Sequence, residues 1–541
     1  MPSCEVLQDL LENAAGAWPD KIAVVHGEER RSYRYIDENA NRIAHALLKA
    51  GVKKGDRVGI LMPNSVNYIC SYFAISKVGG IAVPINTALA PQGLHYVLKD
   101  AGIRVLIFHR SIRAADSLPY EASNLRTLLI DGEAPLHSET RSSCSVDLRA
   151  LQQILEEEPC TPPPVQTLSR EELACLLYTS GSTGEPKGVM LTHANLLANT
   201  RSIVAYLPLG PDDKVMVVLP FYYCYGASLM HTHFLVSGTL VLENQFLYPN
   251  RILEKMEQDR VTGFAGVPST FAILLRRSNI RAFSFDHLRY VTQAGGAMAP
   301  ALIQELRATL PRARIFIMYG QTEASARLSY LPPAYLEKKL GSIGKGIPEV
   351  EIKVLNEKGD QVQPGEVGEI VARGPNIMQG YWNSPEETEK VLDKHGRLHT
   401  GDLARVDEDG FIYIVDRKKD MIKSGAHRVS AKEIEDTLLE EPSVLECAVI
   451  GIDDEMMGEA IKAFVVPVKW DDRSEDRLLN SCKKRLPPYK VPKAIEFRRS
   501  LPKSGAGKIM KALLKEKPTS SQQTEQGSNA GQHLCKQPDT M

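Results

Sequence analysis

Leu176-Leu-Tyr-Thr-Ser-Gly-Ser-Thr-Gly-Glu-Pro-Lys187-Gly-Val-Met-Leu-Thr-His-Ala-Asn195 is an apolar run that opens into a glycine- and hydroxyl-rich loop before a helix start. Gly181, Gly184 and Gly188 permit positive φ and close backbone approach. Thr179, Ser180, Ser182 and Thr183 add hydroxyl donors, and Lys187 adds a positive charge on a flexible stem. Amides, hydroxyls and an ammonium gathered in this way cradle a phosphate chain. Pro186 precedes the lysine and Gly188 follows it, so the G-x-x-x-x-G-K-[ST] spacing is missing and a GTPase or motor-type ATPase is not indicated. Taken alone, the stretch also fits a surface loop joining strand to helix.

On either side, short apolar runs alternate with amphipathic ones. Arg57–Met62, Gly80–Ile85, Arg104–Phe108, Lys214–Leu219, Gly238–Leu242, Arg289–Thr292 and Arg314–Met318 read as strands, and Val66–Lys77 and Pro91–Ala101 as helices. This alternation predicts an α/β fold with largely parallel sheets. The chain has 541 residues, more than one hydrophobic core normally serves. The expected division is a large multi-sheet N-terminal domain over 1–416 and a small, mobile α+β C-terminal lid domain over 417–515. Residues 516–541, rich in Ser, Gln and Gly, read as a disordered tail, and the stretch from Leu118 to Pro164 as a surface excursion.

A net charge of −1 leaves no electrostatic footprint for nucleic acid. Nine cysteines without C-x-x-C spacing argue against a zinc ribbon or a disulfide framework. No stretch approaches 18 uninterrupted apolar residues, so no integral membrane segment is expected. A cytoplasmic location is the default reading, and the oligomeric state stays open.

The cradle is followed in order by Met318-Tyr-Gly-Gln-Thr-Glu323, His399-Thr-Gly-Asp402, Asp416-Arg417, Ser424-Gly-Ala-His-Arg-Val-Ser430 and Pro502-Lys-Ser-Gly-Ala-Gly-Lys508. Together these resemble the core motifs of the adenylate-forming superfamily, which joins acyl- and aryl-CoA synthetases, peptide-synthetase adenylation domains and firefly luciferase. Six ordered motifs spanning nearly the whole chain are far more specific than one. The resemblance implies ATP-dependent activation of a carboxylic acid to an acyl-adenylate, with Mg²⁺, followed by thioester formation on CoA or on the phosphopantetheine of an acyl carrier protein.

It also implies roles by position. Lys187 with Thr179, Ser180, Gly181, Ser182, Thr183 and Gly184 would grip the β- and γ-phosphates. Thr322 would bond phosphate, Glu323 would contact the metal, and Tyr319 would offer a flat ring to adenine. Asp402 and Arg417 would hold the ribose. Lys508 would bridge the substrate carboxylate and the α-phosphate from the lid, the step in which a reaction between two anions most needs a positive charge. Lys503 and Lys511 read as inconsequential surface lysines beside it, and His399 as structural.

For the thiol step the resemblance implies a lid rotation about Lys419, with Gly425 then lining a pantetheine tunnel. Ser424-Gly-Ala-His-Arg departs from the commoner family pattern and leaves His427 and Arg428 without assigned roles. The expected acid pocket draws on Tyr222, Tyr223, Tyr225, Val267, Gly295, Gly296 and Ala297. Phe221–Tyr225 contains no aspartate for an α-ammonium, which favours a fatty or aryl acid over an amino acid. Arg327 reads as a surface arginine. The different-class alternative is a catalytically inactive nucleotide-binding protein.

Overall fold

The computed structural model describes residues 4–112, 124–132, 146–164, 166–179, 185–424, 427–454, 458–505 and 507–515. Among them the predicted strands assemble into two large sheets. One runs, in spatial order, Lys345–Gly346, Ser329–Leu331, Arg314–Tyr319, Tyr290–Gln293, Gly263–Gly266, Lys214–Val217, Thr239–Leu242, Ile22–His26 and Glu29–Ser32. Its six central strands are parallel and its edges antiparallel. The other runs Gly380–Tyr381, Lys187–Thr192, Leu173–Thr179, Ile81–Pro84, Arg57–Leu61, Val105–His109, Thr127–Asp131 and Asp147–Ala150. Central strands such as Val215-Met-Val217 and Ile81-Ala-Val-Pro84 are buried at every one of these positions, which is why they read as continuous apolar runs rather than alternating ones.

Helices Tyr33–Lys49, Val66–Lys77 and Cys224–Leu235 pack into the apolar cluster joining the two sheets. Ser32 and Ser65 cap the first two by accepting from the amides of Tyr35 and Tyr68, each satisfying a donor that the first helical turn leaves free. The second is buried on nearly all sides, and its Lys77 is neutralised by Glu12 at 2.6 Å and Asp37 at 3.0 Å.

Two expectations need correction. The cradle does not lead from strand into helix: Leu173–Thr179 and Lys187–Thr192 pair antiparallel, with Thr179 opposite Lys187, and helix His193–Tyr206 begins only after the second strand. Lys187 is thus anchored in a sheet. The stretch from Leu118 to Pro164 is not merely an excursion. Its described part supplies two parallel edge strands and helix Leu151–Glu157, which buries Leu151 and Ile154.

A smaller antiparallel sheet follows, formed by Glu351–Leu355, Val367–Arg373, Leu398–Val406 and Ile412–Arg417. Sheet membership then changes across the turn at Lys418–Met421. Strands His427–Val429, Ile422–Ser424, Gly458–Pro467, Val444–Asp454 and Ala494–Phe497 make a separate sheet, with helices Ala431–Leu439 and Glu475–Arg485. Their apolar residues form their own cluster around Ile434, Val449, Val465 and Leu478. The architecture is α/β, with a large multi-sheet N-terminal domain and a smaller C-terminal one. Among the described residues no helix is long and apolar enough to cross a membrane. The tail over 516–541 lies outside the described residues.

Candidate active site

Strand Arg314–Tyr319 ends at Gly320, where the chain turns sharply into the short helix Thr322–Ala324. A Cβ on Gly320 would lie 2.1 Å from the carbonyl oxygen of Ala326, so only glycine lets the two backbones meet. Ser325 and Ala326 follow with φ of 56° and 116°, a left-handed pair that side chains disfavour. Asn376 holds it by donating to the carbonyls of Ala324 and Arg327 at 3.1 and 2.7 Å. The turn presents Thr322, whose hydroxyl lies 3.5 Å from Cys224 Sγ, and Glu323, whose carboxylate accepts from the Tyr381 hydroxyl at 2.8 Å.

Asp402 arrives from the smaller sheet, where register places it opposite Arg417. One carboxylate oxygen accepts from the Tyr319 hydroxyl at 2.6 Å and the other from Arg417 Nε at 2.9 Å. Asp402 is 3% exposed, so both bonds lie where water competes little. Tyr319 is buried too, and burial followed by the Asp402 charge holds its phenol protonated. Its ring belongs to an apolar cluster with Ala324, Leu328 and Ile343.

Lys508, on the C-terminal domain, stands near enough to feel the charges of Arg417 and Asp402. It closes a tight turn in which Ser504 N–H donates to the Lys508 carbonyl and Gly507 N–H to that of Ser504, each at 2.8 Å. The surrounding protein, then the Arg417 charge, lower its ammonium pKa to about 8, with Asp402 opposing them. The side chain is nevertheless exposed to solvent. Lys503 and Lys511 are not idle surface lysines. Lys503 pairs with the buried Glu446 on strand Val444–Asp454, and Lys511 with Glu435 on helix Ala431–Leu439 at 2.7 Å, so the turn's flanks are pinned to the sheet and to a helix of the C-terminal domain.

Lys187 pairs with Glu387 from helix Pro385–Glu389 and lies 5.3 Å from the Tyr381 ring centre. Hydrogen bonds from Lys187 and Lys390 hold the Glu387 carboxyl down to about 2. Lys419 is exposed in the turn between the two sheets. Ser180, Gly181, Ser182, Thr183, Gly184 and Gly425 lie outside the described residues. His427 stacks on Tyr489 at 4.0 Å.

Among the pocket residues, Tyr222 and Tyr223 have ring centres 4.8 Å apart, and Tyr225 is buried with its hydroxyl donating to the Thr292 carbonyl at 2.9 Å. Gly295, Gly296 and Ala297 are exposed beyond strand Tyr290–Gln293. Val267 stands against Gly295, since a Cβ there would meet it at 3.0 Å. Arg327 is no surface arginine. It is 2% exposed, its guanidinium lies 4.0 Å over the Tyr225 ring, and its Nε is buried without a partner. Sequence reading missed Glu387 and the bond from Tyr381. A pairing across 200 residues, as between Lys187 and Glu387, leaves no local signal.

Residues 11–382 match the family model described as AMP-binding enzyme, and residues 433–508 match its C-terminal domain. The chain belongs to the AMP-binding enzyme family. It is 35% identical over 513 residues to a feruloyl-CoA synthase from Amycolatopsis sp., covering 93% of this chain and 98% of that one. It is 32% identical over 543 residues to a long-chain-fatty-acid–CoA ligase from Bacillus subtilis, covering 95% of each. Among solved structures it resembles the anthranilate CoA ligase AuaEII in complex with anthranoyl-AMP, with TM-score 0.87, 28% identity and coverage of 95% and 97%. It also resembles o-succinylbenzoate CoA synthetase from Bacillus subtilis in complex with ATP and magnesium ion, with TM-score 0.80, 28% identity and coverage of 94% and 99%.

Proposed function

We propose that the protein activates a carboxylic acid, aryl or fatty, with ATP to form an acyl-adenylate and pyrophosphate, then transfers the acyl group to the thiol of CoA, releasing AMP. The observation that carries this reading is that Lys508 stands close enough to Asp402 and Arg417 to feel both charges, while Asp402 bonds Arg417 and Tyr319, beside the turn that presents Thr322 and Glu323. A cation from the C-terminal domain faces a polar group made by Tyr319 and Asp402 of the larger domain with Arg417 at the boundary between the two, and the relatives described above align over nearly the whole chain.

In this reading the acid's carboxylate oxygen attacks the α-phosphorus, and the bond to the pyrophosphate oxygen breaks. Lys508 screens the repulsion between carboxylate and phosphate, while Asp402 and Arg417 hold the ribose and Thr322 donates to phosphate. Lys187 leaves Glu387 for the departing pyrophosphate. Glu323 suits Mg²⁺ as a hard oxygen donor. The bound ion would neutralise charge on the phosphates. The thiol then attacks the acyl carbonyl and AMP leaves with the acyl–phosphate electron pair.

We assign 1–416 and 417–515 as the two moving bodies, with Lys419 as the hinge. The seven described cysteines are all unpaired, which agrees with a reducing, cytoplasmic setting. Pyrophosphate release across a panel of benzoic, cinnamic and fatty acids, with CoA, with carrier-protein phosphopantetheine and with neither, tests the proposal. Acid-dependent release and CoA thioester formation are expected. A thioester on the carrier alone would move the assignment to a carrier-loading enzyme, and no release with any acid would leave a nucleotide-binding protein.

A further inference from the structure

The turn that carries Lys508 is held at its tip by residues outside the ATP-facing group. On one side, a Cβ on Gly505 would lie 3.0 Å from the Tyr222 hydroxyl, 3.1 Å from Asn86 Oδ1 and 3.2 Å from the Tyr223 hydroxyl. On the other, Ser269 Oγ donates to the Gly507 carbonyl at 3.4 Å, and a Cβ on Gly507 would meet Val267 at 3.1 Å. Gly507 has φ of +78°, which closes the turn at a cost other residues pay heavily.

The receiving surface is itself fixed. Asn86 Oδ1 accepts from the Ala88 amide at 2.9 Å, which sets its amide so that Nδ2 donates to the Tyr223 hydroxyl at 3.2 Å. Thr87 donates to the Tyr222 hydroxyl at 3.5 Å. Three polar atoms from two separate segments thus converge on one backbone position of the other domain. The hydroxyls of Tyr222 and Tyr223 thus lie on the side of these rings that faces Gly505.

We propose that Asn86, Tyr223 and Ser269 are positioning residues that seat the Ser504–Lys508 turn and so place Lys508 for adenylate formation. The inference rests on the acid-activation reading for its catalytic meaning, while the seat itself is a contact between the chain's own residues. Lys508 needs the seat because a flexible side chain on a loosely held turn spends most of its time away from the reacting atoms. The thiol step makes no demand on this seat, since Lys508 has no part in it.

Two measurements on the full-length chain decide the matter. Hydrogen–deuterium exchange of residues 503–509 without ligands reads the seat directly. Ser269→Ala and Gly505→Val are expected to raise it about tenfold, the weight of one hydrogen bond or a comparable steric push, with thermal unfolding unchanged. The same variants should slow acid-dependent ATP–pyrophosphate exchange by a similar factor, while thioester formation from supplied acyl-adenylate stays within about twofold. Gly505→Ala should cost less in a Tyr223→Phe background than alone, because the methyl then meets one oxygen fewer; such coupling marks direct contact.

Wild-type exchange of 503–509 in both Ser269→Ala and Gly505→Val would overturn the proposal, as would an equal loss in both half-reactions. If the wild-type protein itself activates no acid, the functional reading falls, and exchange of 503–509 still decides whether the seat exists.

Discussion

Lys508 is the residue on which the most chemistry converges. Its pKa lies near 8, below the ordinary lysine value, so the ammonium is complete below that pH and is lost as pH rises through it. Adenylate formation, followed as kcat/KM for ATP, should therefore fall above about pH 8, and Lys508→Arg should flatten that limb because guanidinium stays charged. Lys508→Ala should slow acid-dependent pyrophosphate exchange by about 10²–10³. The depressed pKa also means that the folded state disfavours the charge relative to the unfolded one. This destabilising contribution is present below about pH 8 and fades as pH climbs towards the unfolded value near 10.5. At Asp402 the balance is different: Asp402→Ala strands the buried Tyr319 hydroxyl and Arg417. It should cost about 2 kcal/mol in denaturant unfolding, less than a fully buried pair because Arg417 keeps some solvent, and should raise the KM for ATP.

At the scale of elements, the hairpin Leu173–Thr192 changes how Lys187 is understood. In the proposed reaction, a lysine rooted in a sheet and paired with Glu387 exchanges one anion for another when nucleotide arrives. Glu387→Gln should release it and tighten ATP binding several-fold by calorimetry, an effect that fades with salt. The turn at Gly320 is the opposite kind of element, held by sterics rather than charge. Gly320→Ala should destabilise the fold by more than about 3 kcal/mol and displace Thr322 and Glu323 together. The strands and two of the helices were legible in the sequence because parallel sheets bury both faces and leave unbroken apolar runs. The site motifs were legible because backbone geometry ties them to short spacings. The hairpin was not, since a glycine-rich loop before a capped helix looks the same whether or not a short strand intervenes. Nor was Arg327, whose burial is set by Tyr225 a hundred residues away. The Asn86–Tyr223–Ser269 seat was equally hidden, because its members gain meaning only from a backbone in another domain.

On the scale of the whole molecule, the two domains share more than the site. Arg276, on helix Pro268–Arg277, donates to the Val444 carbonyl and, at 3.3 Å, to that of Leu439, while Arg277 donates to Pro467 at 3.0 Å. Leu445, Ala448 and Phe464 belong to the same apolar cluster as Phe264 and Phe271. Any rotation of the C-terminal domain must release these bonds and this surface. Arg276→Ala should accordingly slow pyrophosphate exchange and leave or raise the rate of thioester formation from supplied adenylate, shifting the balance between arrangements rather than the chemistry of either.

The turn at Ser504–Lys508 has one more consequence. Because its tip lies against the hydroxyls of Tyr222 and Tyr223, the turn proposed to help make the adenylate would, in the same reading, also act as a stopper over it. A mixed anhydride is quickly destroyed by water, and a stopper that loosens only when the lid departs sets its shelf life. Leakage of free acid and AMP in the absence of thiol is thus a gauge of how well the stopper fits.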